Sequence, residues 1–92
     1  MTTIKLLETL ITQINKKLNR PLTAYTKDKD NNYKANIGNY HLDQAYGGCA
    51  LHEMANESGG VNTINTGGYV TKALLYAQLK AMLSGIEMGM NK

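Results

Sequence analysis

Apolar residues recur at alternating steps of three and four through the first segment of the chain: Ile4, Leu7, Ile11, Ile14 and Leu18. That spacing lines one face of a helix, and Leu6 and Leu10 widen the stripe. Thr2 or Thr3 supplies a side-chain oxygen to the first free backbone N–H groups, and Lys16 and Lys17 sit where the helix dipole favours cations. Asn19-Arg20-Pro21 ends the element, because the residue before a proline is pushed out of the α region. The pattern predicts a helix over residues 2–18.

From Leu22 to Ile64 the period shortens to two. Leu22 to Thr26 reads as a short strand entered through Pro21, and the charged, Asn/Asp-rich stretch 27–32 reads as a surface turn. Tyr33, Ala35 and Ile37 then alternate with Lys34 and Asn36, as in a half-buried strand. Gly38-Asn39 is either a type II′ hairpin turn or a bulge within one strand running on to Ala45. Tyr46-Gly47-Gly48 is a further turn signal. Beyond it Cys49, Leu51 and Glu53 alternate with Ala50, His52 and Met54, and the residue types do not decide which set is buried. Val61 to Ile64 is a terminal strand or an extended connection. Three or four strands are expected, all antiparallel because every connection is short.

Gly67-Gly68 precedes a last helix over residues 70–88 whose apolar positions cover most of its circumference. Val70, Ala73, Leu74, Ala77 and Ala81 form one stripe, and Leu75, Leu79, Met82 and Ile86 form another. Such a helix is covered on more than one side, either by the sheet and the first helix or by a second copy of the chain in a homodimer. The expected fold is therefore α+β: an N-terminal helix, a three- or four-stranded antiparallel sheet and a C-terminal helix, with both helices on one sheet face.

Composition narrows this further. Ninety-two residues leave room for one domain spanning 1–92, and 42% hydrophobic with 18% charged residues is a globular composition. With no Trp or Phe, six Tyr supply all the aromatic bulk. A single Cys forbids an internal disulfide and suits a reducing compartment. The absence of an 18-residue apolar run and of a signal-peptide pattern argues against membrane insertion and export, so a cytoplasmic location is expected.

His41, Asp43, Cys49 and His52 are the clustered ligand-type or nucleophilic residues. His41 and Asp43 share a strand face, and a turn at 46–48 returns Cys49 and His52 nearby. Cys49-x-x-His52 is only half of a zinc pattern, and no flanking motif supplies a base or an oxyanion donor to the thiol. Surface histidines and a buried thiol account for the four. The glycine pairs 47–48, 59–60 and 67–68 lack the Lys-Ser/Thr of a phosphate loop and read as turns. No catalytic, cofactor-binding or metal site is expected, and hence no enzyme.

Charge is uneven along the chain. The net charge is +3, but residues 1–34 carry seven basic against three acidic groups, while residues 35–92 carry three against four. Lys16, Lys17, Arg20, Lys27, Lys29 and Lys34 form a candidate nucleic-acid patch, with Tyr25 and Tyr33 among them as stacking groups. Tyr40, Tyr46, Tyr69 and Tyr76, with Met54 and Met82, are the candidates for an exposed contact surface. Tyr40, Tyr46, Leu75, Leu79 and Met82 are the expected protein-interface positions.

Four segments carry a resemblance: Leu18-Asn19-Arg20-Pro21-Leu22-Thr23, Asn36-Ile37-Gly38-Asn39-Tyr40-His41-Leu42, Ala45-Tyr46-Gly47-Gly48 and Asn56-Glu57-Ser58-Gly59-Gly60-Val61. Over residues 18–86 the chain resembles a family of small proteins encoded in tailed-phage and prophage genomes. Where that family often has a basic pair at the start of the last helix, this chain has Thr71-Lys72-Ala73, which weakens an inherited nucleic-acid role. The resemblance implies a setting, the bacterial host cytoplasm, rather than a mechanism. The expectation is a non-enzymatic phage accessory protein that binds a host or phage protein. The alternative is a nucleic-acid-binding module using the basic patch.

Overall fold

Thr3 caps the first helix, its hydroxyl oxygen accepting from the Leu6 N–H at 3.1 Å, so α1 runs Ile4–Lys17. Residues 1–90 are described by the structure, a computed structural model. Beyond α1 come β1 (Tyr25–Lys27), β2 (Tyr33–Ala35), β3 (Tyr40–Ala45), β4 (Gly48–Met54), β5 (Val61–Thr63) and α2 (Lys72–Met90). The fold is α+β, with five antiparallel strands divided between two sheets.

The end of α1 is set before the proline acts. Asn19 adopts a left-handed φ of 55°, the Asn19 N–H donates to Lys16 O and the Arg20 N–H donates to Asn15 O at 2.8 Å. Those two bonds satisfy orphan carbonyls of the last turn, with asparagine in the position usually held by glycine.

The strands differ from the sequence expectation in number and partition. β1 and β2 pair only with each other, Tyr25 opposite Ala35. Gly38, at φ 91°, is the third residue of a turn closed by the Asn39 N–H on Asn36 O at 3.1 Å. No II′ hairpin forms there, but a bulge does: the Gly38 N–H donates to Met54 O and the Met54 N–H to Asn39 O, both at 2.9 Å, so Gly38 and Asn39 together face one residue just before β3. The turn instead passes the chain from the small ribbon into the main sheet.

The main sheet has the order β3-β4-β5. The β3–β4 hairpin closes on two residues, Tyr46 (φ 53°) and Gly47 (φ 74°), both left-handed as a type I′ turn requires. The outer edge of β4 is finished by three different devices. β5 pairs with His52 to Met54; the Asn65 side-chain oxygen accepts from the Leu51 N–H at 2.8 Å; and Val70 exchanges two backbone bonds with Cys49 at 2.8 and 2.9 Å. A Cβ on Gly48 would meet Val70 O at 2.9 Å, so glycine there permits the close approach.

Both helices pack on one face of this sheet, around Leu7, Leu10, Ile11, Ile14, Tyr40, Cys49, Leu51, Leu75, Leu79 and Leu83. Leu6 does not join the core stripe of α1 and stays 37% exposed. In β4 the ambiguity between faces resolves as burial of both: Ala50, His52 and Met54, on the side away from the helices, are also buried. Among the described residues of α2, the stripe of Leu75, Leu79 and Leu83 is buried, with Tyr76, Met82 and Ile86 packed at its border, while Ala73, Leu74, Ala77 and Ala81 stay exposed.

Candidate protein-binding face

Alternation along β3 and β4 places His41, Asp43, Ala50 and His52 on the face that carries no helix. The register sets His41 directly opposite His52, and their rings meet edge to face with centroids 5.8 Å apart. Tyr69, just before the Val70 bridge, crosses this face. Its hydroxyl donates to Asp43 Oδ2, its ring contacts His52 at 5.9 Å, and Tyr46 leans on it at 5.2 Å. The result is a continuous row of four rings from His41 through His52 and Tyr69 to Tyr46 at the hairpin tip. Tyr46 is 92% exposed.

Neighbouring groups tune the proton affinities here. Burial, then the facing His52, lower the His41 pKa below its ordinary 6.5, opposed by the Asp43 carboxylate. The hydrogen bond to Asp43, with burial and the Asp43 charge behind it, raises the Tyr69 phenol above 10.0. His41 is further positioned by Asn39, whose Oδ1 lies 3.2 Å from Nδ1. The Asn39 Nδ2 donates to Pro21 O at 2.8 Å, which fixes the amide and turns its oxygen toward the imidazole.

Cys49, grouped with the histidines by sequence spacing, is not part of this face. It lies opposite Gln44, on the helix side, 1% exposed. Burial raises its thiol pKa above 9.0, so it stays protonated and unreactive. Among the described residues, no group of three or more His, Cys, Asp and Glu side chains is arranged to hold a metal ion.

Of the expected interface positions, Tyr46 is at the surface and Met82 is half-buried. Tyr40, Leu75 and Leu79 are core residues, at 8%, 0% and 1% exposure, and present no free surface. The reason is that the second stripe of α2, not the first, faces α1 and the sheet.

The six basic residues do not form one free patch. Arg20 is half-buried. It donates to Gly38 O at 3.0 Å, pairs with Glu53 and stacks over the Tyr40 ring at 4.5 Å, which makes it an internal brace. Lys17 pairs with Glu87 at 3.7 Å and Lys34 with Glu57 at 3.2 Å. Lys27 lies 5.7 Å from the Tyr33 ring centre, and Lys16 and Lys29 are exposed.

The sequence names Tyr46 and the two histidines but not the part played by Asn39, since asparagine in a turn gives no sign of which distant group it will hold. No described helix is long and apolar enough to cross a membrane. Comparison with known proteins finds no matching family model, curated protein or solved structure.

Proposed function

We propose that this chain is a non-enzymatic accessory protein that binds another protein through Tyr46 and the row of rings behind it. The observation that carries the reading is the cost at which Tyr46 is displayed. A left-handed backbone at a residue other than glycine costs on the order of 1 kcal/mol, and Asn-Gly would close the same turn without it. The turn instead holds a large aromatic ring almost wholly in water, braced by Tyr69. Tyrosine in such a place suits a contact residue, because it brings area with little rotamer entropy to lose.

The partner that fits is a protein with an apolar recess for the Tyr46 ring. β3, β4 and β5 contain no Lys or Arg, and Asp43 adds negative charge, so this face does not suit phosphates. The setting, a bacterial cytoplasm during phage infection with a host or phage protein as target, follows from the resemblance of the Tyr-Gly-Gly and Gly-Gly-Val segments. Capture from bacterial lysate on the immobilised chain, with and without nuclease, tests the reading. Partners retained after nuclease treatment and lost with Tyr46→Asn support it; partners lost with nuclease, or indifferent to Tyr46→Asn, contradict it.

One observation favours a nucleic-acid reading elsewhere on the molecule. Tyr25, Lys27 and Tyr33 share one face of the small ribbon, and the two exposed rings flank a shallow recess of about 360 Å³. Two stacking rings, with the Lys27 ammonium 5.7 Å from the Tyr33 ring centre, suit a single strand. Binding of that kind weakens steeply with salt and is lost in a Tyr25→Ala, Tyr33→Ala double variant.

A further inference from the structure

We propose that His41 and His52 together bind one divalent transition-metal ion on the helix-free face of the main sheet. The pairing register fixes the two residues opposite each other on the same face, so no backbone movement is needed to bring the rings together. Two imidazoles sharing an ion at about 2.1 Å, with a tetrahedral angle between them, have ring centres about 5.3 Å apart. The observed separation is 5.8 Å with the ring planes at 85°, so sharing an ion requires one imidazole to turn about its side-chain bonds while the backbone stays in place.

The protonation state is set correctly for a ligand. Because the Asn39 amide is held by Pro21 O, its oxygen faces His41 Nδ1, and an amide oxygen only accepts. Nδ1 therefore carries the proton, and Nε2 is left with its lone pair. An outer hydrogen bond of this kind orients metal-binding histidines and raises their basicity.

The chain supplies two ligands. Asp43 shares the face, but its Oδ2 accepts from the Tyr69 hydroxyl, and no third residue completes the set among the described residues. The remaining positions fall to water. Imidazole nitrogen selects copper, nickel and zinc over magnesium and calcium, so Cu²⁺ binds more tightly than Zn²⁺, and Mg²⁺ does not bind. This inference does not depend on the protein-binding reading.

Calorimetric titration of ZnCl₂ into the full chain, without an affinity tag, tests it at pH 7.5. One Zn²⁺ per chain is expected, with affinity falling about tenfold or more in His41→Gln and in His52→Gln. Absence of binding at millimolar Zn²⁺, or equal affinity in a variant lacking either histidine, overturns the proposal. Should a variant fail to fold, imidazole ¹⁵N shifts of the unsubstituted protein decide. The expected result is a proton on Nδ1 of His41 without metal, and displacement of nitrogen signals in both rings on adding Zn²⁺. A response in one ring only, or in neither, overturns it.

Discussion

Asn15 and Tyr40 are joined by two buried hydrogen bonds: Asn15 Nδ2 donates to Tyr40 O at 2.9 Å, and the Tyr40 N–H donates to Asn15 Oδ1 at 3.0 Å. A side-chain amide on α1 thus stands in for the strand that β3 lacks on its outer side. It satisfies both backbone groups of one residue in a water-free place, with Asn15 1% exposed. Replacing Asn15 with leucine leaves a buried donor and acceptor unmet, each costing about 1–3 kcal/mol. Urea unfolding should show a loss of about 2–6 kcal/mol, enough to unfold a marginal domain of this size. A loss under 0.5 kcal/mol contradicts the role given to this amide.

Arg20 and the lysines beside it should separate cleanly. Arg20→Ala removes the bond to Gly38 O, the Glu53 pair and the stack on Tyr40. Because the group is only half-buried, about 1–2 kcal/mol is expected from these contacts. Lys16→Glu, at an exposed position, should change stability by less than about 0.5 kcal/mol. Chemical denaturation of the two variants side by side checks this, and equal effects would return Arg20 to the surface.

Stability should fall on both sides of neutral pH. The folded pKa of His41 lies below the ordinary 6.5, so between the two values the unfolded chain binds more protons, and acid favours unfolding. Cys49 and Tyr69 have folded pKa values above their ordinary 9.0 and 10.0. Above those values the unfolded chain loses its protons first, so alkali favours unfolding too. Melting temperature measured against pH should show a plateau between about 6.5 and 9. His41→Gln should flatten the acid side. An unchanged acid limb in that variant would remove His41 as its source.

Helix positions were legible because the apolar spacing of α1 records which face packs, and Thr3 and Lys17 mark its ends. The separation of the strands into two sheets was not legible. It depends on Gly38 taking the third place in its turn, which no local pattern distinguishes from a hairpin. The asparagines were the main omission. Asn15, Asn39 and Asn65 look like turn or surface residues in the sequence, yet each holds a backbone group far along the chain. The cross-strand meeting of His41 and His52 follows once the Tyr46-Gly47 turn is set at two residues, because that length fixes the register. The excess of basic groups in residues 1–34 is legible in the sequence, but the pairing of Lys17, Arg20 and Lys34 within it is not. Charge counted along a chain does not record that Glu53, Glu57 and Glu87 return to meet it.

The most direct test of the central claim is one substitution read in two ways. Tyr46→Asn places the residue preferred by a type I′ turn at φ 53°, so the strain is relieved, and the aromatic contact given up is the one with Tyr69. Relief of about 1 kcal/mol of strain is offset by loss of the Tyr69 contact, about 0.5–1.5 kcal/mol, so stability should change by less than about 1 kcal/mol, and capture of nuclease-resistant partners should be lost. A variant that keeps its stability and no longer binds establishes that Tyr46 is displayed for contact rather than for the fold. A variant that captures the same partners in the same yield as the unsubstituted chain contradicts the account.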